Sequence, residues 1–233
     1  MSCDGDVSGR IIGVFIGSID HPWPDKPPSA IAKQQVSQPV TIGISGIEGD
    51  EQADLEVHGG PVKAIHHYAS EHMLHWQETF QDCASAFAPG CFGENISTVG
   101  LTENNLCLGD ILDLGTAKVQ ICQGRQPCWK LNAHIGLKNL AFHFQTSRRT
   151  GWYYRVLVGG IAAIGDQMRV VERLYPHWPL DRVIEARFNQ RLDVGMAREL
   201  SEIDALSESW RLAFSKKSKP GFRENTAKRL KSP

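Results

Sequence analysis

Seven short runs rich in Ile and Val, at residues 10–16, 40–45, 63–68, 110–114, 117–122, 160–164 and 167–172, constrain this chain more than any other feature. Several alternate apolar and polar residues, as half-buried strands do. Gly-Asp recurs at Gly49-Asp50, Gly109-Asp110 and Gly165-Asp166. The last two abut strand-like runs, where a residue tolerating positive φ serves a tight turn. Many short strands with frequent turn signals predict a mainly-β barrel or sandwich rather than a parallel α/β sheet. Two helices are expected to interrupt it. One runs over 70–80, with Ser70 as its N-cap and Met73, Trp76 or Gln77, and Phe80 on one face. The other, shorter, covers 137–144. His72 and His75 are spaced to hold a metal, but with no third ligand at fixed spacing they read as surface or interface histidines.

The pattern changes after Arg173. Pro176 and Pro179 punctuate the chain, and helical periodicity follows at 180–188, 195–203 and 207–214. Ser207-Glu208, with Leu206 before it and Trp210 and Phe214 after it, reads as the capped start of an amphipathic helix. Such a segment buries little alone and is expected to dock on the β-domain. The expected division is a β-domain over 10–172, a three-helix appendage over 173–217 and a basic tail over 218–233. Residues 216–233 carry seven Lys/Arg and one Glu, a local +6; the other 18 Lys/Arg and 25 Asp/Glu leave −7 elsewhere, so the net charge of −1 hides an asymmetry. A basic end with almost no apolar residues reads as solvated and mobile. An RNA-binding arm is disfavoured, because only Phe222 offers a stacking ring there.

No apolar stretch is long enough to span a bilayer. Met1 to Gly9 lacks the apolar core of a secretory signal, so a cytoplasmic location is expected. The six cysteines (Cys3, Cys83, Cys91, Cys107, Cys122 and Cys128) show no Cys-x-x-Cys pair and no zinc-like spacing. In a reducing compartment five of them read as small hydrophobes. Cys128 differs.

Cys128 lies in the densest chemical cluster, Gln123-Gly124-Arg125-Gln126-Pro127-Cys128-Trp129-Lys130-Leu131-Asn132. Pro127 ends regular structure and Gly124 permits a tight turn. A loop thiol between Arg125 and Lys130 sits in positive potential, which favours the thiolate, the form that attacks carbonyls and binds soft metals. A packed turn is the plainer reading of the same residues. His58-Gly59-Gly60-Pro61 could bring backbone and an imidazole to an anion, or merely form a turn. In Phe92-Gly93-Glu94-Asn95, Glu94 could accept from a polar heterocycle and Asn95 could cap a turn. Gly43-Ile44-Ser45-Gly46-Ile47 lacks the last glycine of a nucleophile elbow, and neither a Walker loop nor a dinucleotide fingerprint occurs. From the residues, three functions stay open: a redox or metal-binding thiolate, a thiol hydrolase with Cys128 as nucleophile and His58 as base, and a carrier that loads a group on Cys128.

The order of Glu48-Gly49-Asp50-Glu51, His58-Gly59-Gly60-Pro61, Phe92-Gly93-Glu94-Asn95, Gly109-Asp110 and Arg125-Gln126-Pro127-Cys128 resembles that of MOSC domains. With Pro28-Ser29-Ala30-Ile31-Ala32-Lys33 and Lys130-Leu131-Asn132, the chain is similar to the YiiM-like branch. The likeness covers residues 10–172, and the helices resemble the three-helix domain that follows in that branch. It implies a MOSC-type β-barrel and a molybdenum cofactor in a basic cleft, with Cys128 as catalytic residue and molybdenum ligand; pyridoxal phosphate is not expected. Arg125, Lys130, Lys33, His58, Glu94, Asn95 and Ser29 are the implied cofactor contacts. The implied activity is reduction of N-hydroxylated compounds such as hydroxylaminopurines, detoxifying base analogues. With no flavin or iron–sulfur motif, electrons are expected from a separate flavoprotein or ferredoxin-type donor. Gly124 stands where members of the family tend to carry Pro, which predicts a more mobile loop.

Overall fold

The computed structural model describes residues 6–54, 59–226 and 229–230. Its strands are β1 (Ser8–Gly17), β2 (Lys33–Gln35), β3 (Val40–Gly43), β4 (Gly46–Ile47), β5 (Ile65–Ala69), β6 (Ile96–Val99), β7 (Ile111–Leu114), β8 (Ala117–Gly124), β9 (Trp152–Val158), β10 (Gly160–Ala162) and β11 (Gln167–Glu172). Seven of them neighbour in the order β11-β7-β8-β9-β5-β6-β1, and β1 pairs back with β11 to close a barrel. Closure removes the exposed edges that an open sheet would leave. β2 extends the end of β1, and β10-β3-β4 form a small second sheet. The Gly-Asp turns behave as expected. Gly109 and Gly165 take φ of 76° and 98°, and the carboxylates of Asp110 and Asp166 accept from the amides of Cys107 and Ala163, each at 2.8 Å.

Within the ring only β5 and β6 run parallel. A hairpin cannot join parallel neighbours, and the connection carries α1 (His72–Thr79) and a 3-10 stretch at Gln81–Ala86. Trp76 of α1 stacks on Phe144 with ring centroids 4.6 Å apart, and Phe92 meets Phe144 edge-on at the same distance. Phe144 belongs to α3 (Leu140–Ser147), which follows α2 (Trp129–Ile135). These rings form a second core outside the barrel.

Several local expectations need correction. Ser70 does not cap α1; its hydroxyl donates to the Thr98 carbonyl at 2.9 Å, and Glu71 occupies the cap position. His72 is buried, not a surface residue, and its Nε2 lies 2.6 Å from Glu103 Oε2. Strands β6 and β9 and helix α2 have no counterpart in the sequence reading. Cys107 and Cys122 are buried and Cys83 and Cys91 half-buried, while Cys3 lies outside the described residues. The tail makes contacts as well. Glu224 pairs with Arg187, Asn132 donates to the Leu230 carbonyl at 2.9 Å, and Arg229 donates to the Pro127 carbonyl and to Gln145.

The three C-terminal helices are α4 (Leu180–Phe188), α5 (Val194–Glu202) and α6 (Glu208–Lys217), with the Ser207 hydroxyl accepting from the Trp210 amide as the sequence suggested. They share one hydrophobic cluster with the barrel, from Ile11 and Ile121 to Ile184, Trp210 and Phe214. Polar ties add to it: the Ser207 amide donates to the Cys122 carbonyl at 2.9 Å, and Arg173 grips the fully buried Asp110 at 3.0 and 2.7 Å. Gly124 is the contact point. It lies buried in β8, not in a mobile turn, and a Cβ there would sit 2.5 Å from Ile184 Cγ1 and 3.0 Å from the Trp210 ring. Gly124→Ala should therefore lower stability by about 1–3 kcal/mol through overpacking. Adding Ile184→Ala, which removes the Cγ1 that the new Cβ would meet, should give a double variant whose loss in urea unfolding is smaller than the sum of the two single losses.

Candidate functional site

The register of the strands brings the polar residues to one level. Gln123 of β8 faces Tyr153 of β9, and Tyr153 faces His66 of β5. His67 pairs with Ile96, so Asn95 enters beside His66. The His66 and Tyr153 rings lie 4.8 Å apart on one side of the sheet. Both line a cleft whose other walls come from the segments before β2, after β4 and after β8.

Asp50, after β4, ties together the end of β1, the start of β2 and the residue before β6. Its carboxylate accepts from the Gly17 amide at 2.8 Å, from Asn95 Nδ2 at 2.8 Å and from Lys33 Nζ. Asn95 Oδ1 in turn accepts from the His66 amide at 3.0 Å. Arg125 is buried, with its amide on the Gly151 carbonyl at 2.9 Å and its guanidinium on the Phe92 carbonyl at 2.6 Å. Lys130 reaches across to the Pro28 carbonyl at 2.9 Å. Cys128, half-buried, immediately precedes α2 on the same wall.

The cleft thus gathers Cys128, Arg125, Lys130, Lys33, Asn95 and Ser29, six of the residues singled out in the sequence. Glu94 does not join them. It is fully buried behind the wall, its carboxylate accepting from the Gly90 and Phe92 amides at 2.5 and 3.0 Å. Two N–H donors on one carboxylate hold the loop that supplies the Phe92 carbonyl to Arg125, so its part is architectural. His58 lies outside the described residues. The sequence reading missed Lys63, His66, Tyr153 and the bridging part of Asp50. Lys63 and His66 follow closely on the His58-Gly59-Gly60-Pro61 motif, and the aromatic run Trp152-Tyr153-Tyr154 carries a strand signal.

Lys33, Lys63, Arg125 and Lys130 stand against Asp50 and Glu51, so the lining is net positive. Burial pushes the Lys33 and Lys63 ammonium groups down from their ordinary range, while Asp50 holds Lys33 against that shift. Burial, then the charge of Arg125, pushes the His66 imidazole well below its usual range and leaves it neutral, with the backbone of Gly93 opposing the shift. Among the described residues neither ring nitrogen of His66 has a hydrogen-bond partner, and the residue is 3% exposed. An unsatisfied buried polar group costs about 1–3 kcal/mol unless a bound group or water meets it.

Residues 54–169 match the MOSC domain, and residues 178–217 match the YiiM-like 3-alpha helix domain. Protein YiiM of Escherichia coli (strain K12) is 36% identical over 219 residues, 94% of this chain and 97% of that protein. The chain belongs to the MOSC family, in its YiiM-like branch. The crystal structure of YiiM from Escherichia coli superposes with a TM-score of 0.80 at 29% identity, over 96% of this chain and 99% of that one. A protein named Reductase from Gibberella moniliformis (strain M3125 / FGSC 7600) is 36% identical over 163 residues, 68% of this chain and 29% of its own length. The MOSC match runs from before β5 into β11 and leaves out β1 to β4, and the second match spans α4 to α6. Among the described residues no helix is long and apolar enough to cross a membrane.

In this MOSC chain Asp50 is the structural centre of the cleft. The Asp50 and Lys33 side chains are only 4% and 7% exposed. Asp50→Ala leaves a buried ammonium and two donors without their acceptor, and should cost about 3–5 kcal/mol in chemical denaturation. Asp50→Asn should cost less, because the amide oxygen still accepts from Gly17.

Proposed function

We propose that the cleft binds the molybdenum cofactor and that the chain reduces N-hydroxylated compounds such as hydroxylaminopurines, detoxifying base analogues in the cytoplasm. The observation that carries this reading is the placement of Cys128 on the same wall as Arg125 and Lys130, across from Lys33, in a cleft of net positive lining. The donor set suits the cofactor. A phosphate-bearing pterin needs Arg and Lys donors, and a soft metal needs a thiolate. Among the described residues no three His, Cys, Asp or Glu cluster as a metal site of their own. A metal held through Cys128 therefore fits best in a group that brings its own ligands. The family and a relative named as a reductase point the same way.

The bound cofactor would supply the two-electron chemistry: R–NHOH, two electrons and two protons give R–NH2 and water. Every other part falls to the chain. Arg125 and Lys33 each spend one hydrogen-bonding group on a protein acceptor and keep others for a phosphate. Lys130, anchored at the Pro28 carbonyl, closes the same side, where Ser29 lies. Asn95, with its side chain committed to Asp50, Phe15 and His66, sets the wall rather than adding a strong contact. His66 and Tyr153 give the floor two aromatic rings, and burial keeps the Tyr153 phenol protonated above its ordinary range. The electrons come from a separate flavoprotein or ferredoxin-type donor, and neither a membrane nor nucleic acid takes part.

Protein purified from a host that makes the cofactor should carry molybdenum and pterin in equal amounts and reduce a hydroxylaminopurine with a chemical reductant. Purified protein with neither molybdenum nor turnover would overturn the reading. Cys128→Ser should lose turnover while keeping its unfolding midpoint, because serine is a harder and far weaker acid and ligand. Arg125→Ala should weaken cofactor retention roughly 10- to 100-fold through the loss of charge-assisted bonds, with Arg125→Lys restoring only part. Molybdenum per chain after extended dialysis measures it.

A further inference from the structure

Outside the cleft, the strongest unexplained feature is a hollow of about 330 Å3 lined by Arg191, Lys217, Lys219, Arg223, Phe222 and neighbouring residues, with no carboxylate in its lining. Arg191, Lys219 and Arg223 are exposed, and no ion pair engages them among the described residues. Lys217 differs, since its ammonium is spent on the Ala186 and Asn189 carbonyls at 3.3 and 2.5 Å. Apolar surface accompanies the charge: Phe222 is 37% and Val194 41% exposed. Exposed apolar groups among uncompensated cations suit a transient, charge-steered protein contact.

The hollow connects to the Cys128 loop. Glu224, next to Arg223, grips Arg187 at 2.9 Å, and Arg187 donates to Gln126 Oε1 at 3.3 Å, two residues before Cys128. This pairing consumes the one acidic residue of the tail. By sequence, residues 216–233 carry +6, Glu224 included, against −7 in the rest of the chain, a separation that favours an acidic partner during encounter. A nucleic-acid strand would need a track of cations with several stacking rings, and Phe222 is the single ring lining the hollow.

We propose that this hollow is the docking surface for an acidic electron-carrier protein that delivers the two electrons of the reaction above. The proposal rests on the reductase reading, and its test separates the two. The variant carries Arg191→Glu, Lys219→Glu and Arg223→Glu, all exposed and outside the cleft. Cofactor-loaded wild type and variant are assayed with a reduced acidic flavodoxin and with dithionite-reduced methyl viologen. The carrier-driven rate of the variant should fall about tenfold or more at low salt and lose its salt dependence, with the viologen-driven rate unchanged. Equal carrier-driven rates, equal losses with both reductants, or a wild type that accepts viologen but not the carrier would overturn the docking surface alone. Wild-type binding of a single-stranded oligonucleotide that the variant loses, with carrier-driven rates equal, would assign the hollow to nucleic acid instead. A wild type inactive with viologen would overturn the reductase reading and the docking surface with it.

Discussion

The cleft depends on strand register more than on any single contact. Gln123, Tyr153 and His66 occupy one row across β8, β9 and β5, and Asn95 enters beside them ahead of β6. Side chains alternate faces along a strand, so a slip of one residue in β5 or β9 would turn His66 or Tyr153 away from the cleft. Closure of the ring through β1 and β11 holds that register, because a closed barrel has no free edge along which a strand can shift. The parallel pairing of β5 and β6 adds a second constraint. Its crossover sends the chain outward through α1, where Trp76 and Phe92 pack on Phe144, before returning at Asn95.

The three helices are part of the same device. Gly124 lets Ile184 and Trp210 lie directly on β8, four residues before Cys128. Arg187 of α4 reaches Gln126, and Arg229 from the tail reaches the Pro127 carbonyl. The strand leading to Cys128 is therefore covered by helices and its loop is fastened by them. Removal of residues 180–217 would uncover the shared hydrophobic core and release the Arg187 tie on the loop that carries the thiol.

Charge is distributed with comparable economy. Inside the cleft, Asp50, itself bonded by Asn95, offsets the burial of Lys33, and backbone carbonyls anchor Arg125 and Lys130. Outside it, the exposed cations Arg191, Lys219 and Arg223 meet no ion-pair partner among the described residues, and Glu224 is engaged by Arg187. The first group suits a buried phosphate at short range, where desolvation strengthens each contact. The second acts at longer range, where only net sign and its separation across the molecule matter.

The sequence by itself determined the mainly-β fold class, the position of the helical region, the Gly-Asp turns and the prominence of Cys128, Arg125 and Lys130. These are local matters: strand alternation, positive-φ positions and a cysteine between cations can be read from residues a few places apart. It was silent where long-range packing rules. Glu94 belongs to a promising motif, yet its carboxylate folds back on two amides of its own loop, a geometry no spacing reveals. Gly124 suggested a turn, and only the approach of Ile184, 60 residues later in the chain, explains why a side chain is absent there. His66 and Tyr153 became neighbours through pairing of β5 with β9, strands separated by more than a third of the chain. Tertiary structure decided those partnerships because pairing and burial act between segments that are distant along the sequence.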